Sequence, residues 1–321
     1  MDEMTEVREL RAHVPVPDRA RLAPGRGRLT EAARAGQSRR ALWQRREFVI
    51  VAVVAAVTAV AITATLLVGG KGTGLKVQPA ATPSVRYKGV SAAEFLRQAA
   101  DAVQAQPDGA VPTAKQWIYT KSAHEPSDKS RFLGVQENWI RYDGSASASR
   151  MRENEPLHIT KMNVENGGQG DDRSAREMYR VLLTLPTDGK GTMKALREQN
   201  ATADSKELSQ ARNDYFEIRV LLSADVMPAK GLASLYRALA LVPGGKVTGH
   251  LVDTAAGRRV IALNYSRGEN AKTSESMDDQ WLIDPQTYRI VGMRLVSGDG
   301  KVLAGKSLVT TAVVDKAGDR G

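Results

Sequence analysis

The sequence predicts an α+β fold: one transmembrane helix, followed by an extracytoplasmic antiparallel sheet that packs against several helices. Three observations lead to this prediction. An uncharged apolar run lies in the first quarter of the chain, amphipathic helical periodicity fills the middle, and β-rich segments separated by turn residues lie on both sides of the helical region. Because helices and strands form separate blocks, the pattern indicates α+β rather than alternating α/β topology.

The apolar run extends from Phe48 to Gly70 and holds 23 residues without a charged side chain. A helix of this length is about 34 Å long, and the hydrocarbon core of a bilayer is about 30 Å thick. Apolar residues occupy every side of this helix, whereas the core helix of a soluble protein usually keeps a polar face. A cleaved signal peptide is the other alternative, with a weak cleavage site at 79–81 (PAA), but the preceding segment is too long for an n-region. We therefore expect an uncleaved, single-pass signal anchor in the cell membrane.

Positive charge is concentrated on one side of this span. Arg39, Arg40, Arg45 and Arg46 precede it closely, whereas only two lysines follow it before position 80. The positive-inside rule therefore places the N-terminus in the cytoplasm and the larger C-terminal part outside. The predicted layout is a cytoplasmic tail (1–47), a transmembrane helix (48–70), a linker rich in glycine and proline (71–90) and an extracytoplasmic α+β domain (91–321).

Secondary structure in the outer domain follows from caps, periodicity and turns. Ser91 with Glu94 forms a capping-box pattern, which predicts a helix that ends at 106–109 (QPDG). Further helices are predicted at 176–185, 192–200, 205–224 and 228–241, and a loop at 163–172. The predicted strands are 116–120, 132–142, 146–152, 247–252, 259–265, 280–283, 288–296 and 303–314, with turns at 143–144 (DG), 253–257 (DTAAG), 284–287 (DPQT) and 298–300 (GDG).

The net charge of +10 and the absence of cysteine exclude several classes of protein. Without cysteine there is no zinc ribbon, iron–sulfur cluster, thiol catalysis, disulfide or lipid anchor on an N-terminal cysteine. The tail of 47 residues holds 11 arginines and 7 acidic residues, and the remaining excess of about +6 is spread over the outer domain. This distribution argues against a nucleic-acid surface, so no nucleic-acid partner is expected.

One segment matches a nucleotide-binding pattern by its letters. Residues 300–307 (GKVLAGKS) fit the P-loop signature, in which backbone amides at a helix N-terminus cradle phosphates. The residues that follow, 308–314 (LVTTAVV), are typical of a strand and not of a helix. We therefore predict a turn that leads into a strand, and no nucleotide site.

No residues are predicted to be catalytic, to bind a cofactor or to bind a metal. No two histidines have helical or hairpin spacing, and the acidic pairs lack the alternating spacing of a calcium loop. Neither a nucleophile elbow nor a Ser-x-x-Lys element is present. A pair of glycosidase carboxylates could come from distant positions and is not excluded by sequence. The histidines are His13, His124, His158 and His250. The acidic pairs are Asp171 with Asp172, Asp278 with Asp279, and Glu153 with Glu155, and we expect them to be solvated charges in loops and at strand edges.

Aromatic residues in the predicted strands have two interpretations. They could pack across strands in the core, or they could line a concave apolar surface that holds a lipid or a peptide outside the membrane. The sequence leaves both open. The residues concerned are Trp117, Tyr119, Trp139, Tyr142, Trp281 and Tyr288.

Short segments along most of the chain carry a family resemblance. They are 1–11 (MDEMTEVRELR), 15–18 (PVPD), 21–24 (RLAP), 137–139 (ENW), 185–188 (LPTD), 235–240 (LYRALA) and 282–287 (LIDPQT). The chain resembles an uncharacterised actinobacterial family of single-pass membrane proteins, although it has Asp188-Gly189 where that family usually has Asp-Pro. The resemblance implies that the tail acts beside an extracytoplasmic-function sigma factor. The outer part also looks loosely like the half-barrels of lipoprotein carriers and of periplasmic anti-sigma-factor regulators.

Three functions are consistent with these features. The first is a membrane-anchored, non-enzymatic regulator, sensor or binding module of the cell envelope, whose tail contacts a cytoplasmic sigma factor or regulator. The tail could instead only fix topology and touch anionic lipid of the bilayer. The second is an extracytoplasmic enzyme that acts on cell-wall or lipid substrates, and the third is a purely structural envelope protein.

Overall fold

The computed structural model of the protein describes residues 87–125, 134–152, 154–162, 173–200, 202, 204–269 and 276–320. These ranges contain five helices and ten strands, which confirms the α+β class. The helices are α1 (Ala92–Gln104), α2 (Ala175–Thr184), α3 (Gly189–Gln199), α4 (Gln210–Leu222) and α5 (Ala229–Leu239). The strands are β1 (Trp117–His124), β2 (Val135–Arg141), β3 (Ala146–Arg150), β4 (His158–Lys161), β5 (Lys246–Val247), β6 (Val252–Asp253), β7 (Arg259–Glu269), β8 (Ser276–Ile283), β9 (Ile290–Ser297) and β10 (Val302–Val314).

The single-pass prediction is not confirmed by these ranges. Among the described helices, none combines the length and the apolar character needed to cross a bilayer. The predicted span from Phe48 to Gly70 and its arginine flank lie outside the described residues. The predicted loop at 163–172 lies outside them as well. The predicted linker is described only from Tyr87, whose buried ring packs edge-on against Phe95 with 5.9 Å between centroids.

All paired strands are antiparallel, and they form one sheet with the order β4-β3-β2-β1-β10-β9-β8-β7-β5, with β6 paired to β7. The hairpins predicted from the turn residues are present. The pairing that joins the two halves of the sheet is between β1 and β10, where Trp117 lies opposite Val314. Because nearly 200 residues separate these partners in sequence, the local patterns did not predict this pairing.

The helices pack together and against the sheet. α5 contacts each of the other four helices, and its buried residues include Leu232, Leu235 and Leu239. These leucines belong to one large apolar cluster that also contains Trp281 and Met293 from the sheet. The helix predicted at 228–241 is therefore confirmed, with bounds Ala229–Leu239.

Helix boundaries follow their capping side chains. Ser91 Oγ accepts a hydrogen bond from Glu94 N (3.2 Å), so α1 begins where the sequence predicted. α3 begins three residues before the prediction, because Asp188 Oδ1 accepts from Gly191 N (2.7 Å) and caps the helix at that point. α4 begins five residues after the prediction, because Asn213 bonds both the N–H and the carbonyl of Ser205 and holds residues 204–209 beside the first turn.

Several strands begin or end at residues other than those predicted. The strand predicted at 247–252 is divided into β5 and β6, and the short, polar β4 was not predicted. β9 begins at Ile290, because Tyr288 adopts a left-handed conformation (φ 53°) in the turn that Asp284 caps. The P-loop-like segment is a turn followed by β10, as predicted.

Candidate binding site

One face of the sheet across β10, β1, β2 and β3 carries a small apolar cluster that contains Val314, Tyr119, Trp139 and Ala148. After β10 the chain turns back over this cluster, and Ala317 packs against it. We call residues 315–320 the strap. The strap is also tied to the sheet by Gln116 Nε2, which donates to Asp315 Oδ1 (3.0 Å).

Glu137 of β2 holds the end of the strap. Its side chain is buried, and both carboxylate oxygens contact the guanidinium of Arg320. Arg320 Nε lies 2.7 Å from Glu137 Oε1, and Arg320 Nη2 lies 2.8 Å from Glu137 Oε2. This is the two-pronged geometry that matches a planar guanidinium to a carboxylate.

Two further groups fix the Glu137 carboxylate. Tyr119 Oη donates to Glu137 Oε1 (2.7 Å), and Arg150 Nη1 donates to Glu137 Oε2 (3.2 Å). Arg150 also lies over the ring of Trp139, with its Cζ 5.7 Å from the centroid. A guanidinium over an indole face is attracted by the ring quadrupole, so Trp139 helps to hold Arg150 in place.

Trp139 holds the backbone of the strap. Its indole Nε1 donates to the carbonyl oxygen of Asp319 (2.7 Å), the residue before Arg320. The indole itself is fully buried and packs on Tyr119, with ring centroids 5.1 Å apart. We call Glu137, Tyr119, Trp139 and Arg150 together the Glu137 site.

The charges of the Glu137 site favour binding over proton transfer. Burial raises the pKa of the Glu137 carboxyl, but hydrogen bonds from Arg320, Tyr119 and Arg150 outweigh burial and leave that pKa below its ordinary value. Burial and the neighbouring Glu137 raise the pKa of the Tyr119 hydroxyl well above 10. Near neutral pH the carboxylate is therefore ionised and the phenol keeps its proton, so neither is tuned to exchange protons there.

Sequence reasoning noted Tyr119 and Trp139 only as aromatics, and it missed Glu137, Arg150 and Arg320 as members of a site. One signal was available for Glu137. It lies two residues before Trp139 in a predicted strand, and the period of two places both on the same face. Nothing in the sequence pointed to Arg320, because a chain reversal after a strand leaves no periodic pattern.

The predicted aromatics are mostly core residues. Tyr119, Trp139, Tyr142 and Trp281 are all buried in packed clusters, which supports the core-packing interpretation. The open cleft beside α3 and α4, with a volume of about 430 Å³, is instead lined mainly by charged side chains. Its lining residues are Lys190, Met193, Lys194, Arg197, Glu198, Asp214 and Leu241.

The histidines are not brought together. His124 Nε2 lies 3.0 Å from Gln136 Oε1, while His158 is on the edge strand β4 and His250 is exposed. His13 lies outside the described residues, as do Glu153, Asp171 and Asp172. Within the described ranges, no group of three or more histidine or acidic side chains could hold a metal ion.

The sequence predicts that Asp278 and Asp279 are both solvated, and this is wrong for Asp279. Its carboxylate is fully buried, 2.8 Å from Arg219 Nε, and it accepts a hydrogen bond from Tyr215 Oη (2.9 Å). Trp281 Nε1 donates to the same Tyr215 Oη (3.2 Å). Burial and then the Asp279 carboxylate raise the pKa of the Tyr215 hydroxyl well above 10. The alternation of β8 turns Asp279 towards the helices and Asp278 away from them.

The lysine of the P-loop-like segment is also buried. Lys306 is 4% exposed within β10, opposite His124 of β1 and Met293 of β9. Burial lowers the pKa of the Lys306 ammonium from 10.5 to about 8, an effect that Asp225 partly opposes. The amine therefore lies inside the sheet, where no nucleotide phosphate reaches it.

Comparison with known proteins gives little further information. No protein-family model matches the chain, and no curated protein matches it. One similar solved structure is the complex of Pseudomonas aeruginosa MucA and MucB, with a TM-score of 0.27 and 12% identity. The alignment covers 72% of this chain and 62% of that chain. This is a loose likeness of fold, and no conclusion about function rests on it. Membership of the actinobacterial family stays a prediction.

Proposed function

We propose that the protein is a membrane-anchored, non-enzymatic regulator or binding module of the cell envelope, and that it binds a polypeptide through the Glu137 site. The observation that supports this proposal best is how that site holds the strap. Trp139 contacts a backbone carbonyl and Glu137 contacts the next side chain, which is how proteins bind an extended peptide. A carboxylate paired with two guanidinium groups suits recognition better than catalysis.

The site lies where a partner could reach it. The guanidinium of Arg320 is 43% exposed, although the carboxylate beneath it is buried. In the proposed layout the outer domain meets envelope proteins, and the cytoplasmic tail (1–47) contacts a sigma factor or another regulator. Binding outside would then be coupled across the membrane to transcription.

The first prediction concerns topology. A reporter enzyme that is active only outside the cytoplasm should be active when fused after Gly74 and inactive when fused after Arg40, because the arginines before the span favour the cytoplasm. Activity of each fusion is measured in whole cells, with immunoblots to equalise expression. The reverse pattern would overturn the proposed layout.

The second prediction concerns regulation. Deletion of the gene should change the transcription of envelope-stress genes, and Glu137→Gln should produce the same change, because the neutral amide cannot pair with a guanidinium. RNA sequencing under cell-wall stress measures this effect. Glu155→Gln is the matched control, since that side chain is 42% exposed and makes a long, exposed ion pair with Arg152, whose Nε lies 3.8 Å from Glu155 Oε1.

Several outcomes would count against this function. If deletion leaves transcription unchanged and the tail captures no sigma factor, the regulator version is wrong. If Glu137→Gln behaves like Glu155→Gln while the deletion has a phenotype, the protein regulates through another surface. An altered cell-wall or lipid composition without a transcriptional change would favour the enzyme alternative.

A further inference from the structure

We infer that the strap is a built-in competitor, and that the external ligand of the Glu137 site is an extended polypeptide segment carrying an arginine. This inference rests on the proposed function and specifies its ligand and its regulation. The strap supplies the template: a backbone carbonyl from Asp319, followed by the guanidinium of Arg320. A partner segment with an arginine can make the same contacts once the strap has moved away.

The Glu137 site is ordered by contacts that do not involve the strap. Glu137 keeps hydrogen bonds from Tyr119 and Arg150, and Trp139 keeps its packing on Tyr119 and its contact with Arg150. If the strap leaves, the Glu137 carboxylate keeps its hydrogen bonds from Arg150 and Tyr119. The position that the Arg320 guanidinium occupied is then free for another guanidinium. A preorganised site of this kind loses little entropy when it binds a ligand.

Several residues of the strap are exposed to solvent. Arg320 is 43% exposed, and Asp315 and Lys316 are exposed as well. Its anchoring contacts include those with Gln116, Trp139 and Glu137, together with the packing of Ala317. An attached segment competes at a high effective concentration, in the millimolar range for a short tether. An external ligand must therefore bind well or be presented at high local concentration.

The specificity follows from the chemistry of the site. The two oxygens of Glu137 match the two N–H groups of a guanidinium, whereas a lysine ammonium presents a single point charge. The indole of Trp139 recognises a backbone carbonyl, so the side chain before the arginine is not selected by this contact. We therefore expect the site to accept many sequences that contain arginine in an extended conformation.

The test uses the full-length chain in detergent micelles and a fluorescent peptide of residues 312–321 (AVVDKAGDRG). The wild-type chain should bind this peptide weakly or not at all, because its own strap fills the site. Arg320→Ala should bind it at least about tenfold more tightly than wild type, as measured by fluorescence anisotropy. Lys316→Ala is the matched control, because it changes the strap without touching Glu137.

Two further variants establish that the guanidinium is recognised. A peptide with glutamine in place of its arginine should bind Arg320→Ala at least about tenfold more weakly than the native peptide. Adding Glu137→Gln to Arg320→Ala should remove binding of the native peptide by a similar factor. Equal binding of the two peptides, or equal binding by wild type and Arg320→Ala, overturns the inference.

A second measurement covers the case in which Arg320→Ala does not fold. Excess native peptide is added to the wild-type chain, and amide hydrogen exchange is followed. Exchange of the strap amides should rise with peptide concentration while exchange of β10 stays constant, and no rise in strap exchange contradicts the inference. If strap competition fails but Glu137→Gln still alters transcription, the inference is wrong and the proposed function stands.

Discussion

Asp279→Ala should lower the free energy of unfolding by about 3–5 kcal/mol, which is the typical cost of removing one partner from a buried ion pair. The carboxylate is fully buried between β8 and α4, and it lies 2.8 Å from Arg219 Nε. Without it, the Arg219 guanidinium loses its nearest anion, and the buried Tyr215 hydroxyl loses its acceptor. Urea denaturation of the full chain, followed by tryptophan fluorescence, measures the change.

The neighbouring residue supplies a matched control for Asp279. Asp278→Ala removes a partly exposed carboxylate from the adjacent position of the same strand and should change the stability by less than about 0.5 kcal/mol. The double variant Asp279→Leu with Arg219→Met removes the charges of this ion pair and should recover part of the loss, because Tyr215 still lacks its acceptor and Arg267, whose Nε lies 3.9 Å from Asp279 Oδ1, keeps its charge. A loss for Asp279→Ala no larger than that for Asp278→Ala contradicts the assignment of Asp279 as a buried ion-pair partner.

Asp279 also illustrates what the sequence could and could not predict. The helices and the hairpins follow from local signals, such as Ser91 with Glu94 before α1 and Asp143-Gly144 between β2 and β3. Local signals leave open which face of a strand meets the helices. The predicted strand at 280–283 begins after both aspartates, so the sequence prediction assigned neither to a face, although only Asp279 reaches Tyr215. The pairing in the folded sheet decides between the two residues.

The Glu137 site depends still more on long-range structure. Glu137 and Arg320 are 183 residues apart in the chain, and they meet because β10 pairs with β1 and the strap then reverses direction. A pattern that repeats every two or every 3.6 residues carries no information about such a contact. The aromatic residues of β1 and β2 could be predicted to pack, but their role beneath the strap depends on tertiary structure alone.

The motif at residues 300–307 matches a known pattern locally, but its structure depends on the strands that surround it. Its letters fit a phosphate-binding loop, yet Lys306 is a buried residue of the central strand β10. Its neighbours in the adjacent strands are His124 and Met293, and the charge of Asp225 raises its pKa without offsetting the effect of burial. A lysine ammonium in such a position is costly to bury, because it loses most of its hydration.

This cost can be stated as a prediction about pH. The pKa of Lys306 is about 8 in the folded protein and near 10.5 in the unfolded chain, so the folded state binds this proton less tightly. The difference corresponds to about 3 kcal/mol of lost stability. The loss is complete below pH 8, shrinks as the pH rises from about 8 to 10.5, and is absent above that range.

Lys306→Met should therefore stabilise the protein by up to about 3 kcal/mol near neutral pH, because methionine keeps most of the length of the side chain and removes the charge. The gain should become smaller at about pH 9.5, where the wild-type amine is mostly neutral in the folded state. Urea denaturation of both proteins at the two pH values measures this difference. Lys301→Met, at an exposed position just before the same strand, should give no gain at either pH. A gain at Lys306 that does not depend on pH would mean that improved packing, and not the removal of a buried charge, stabilises the variant.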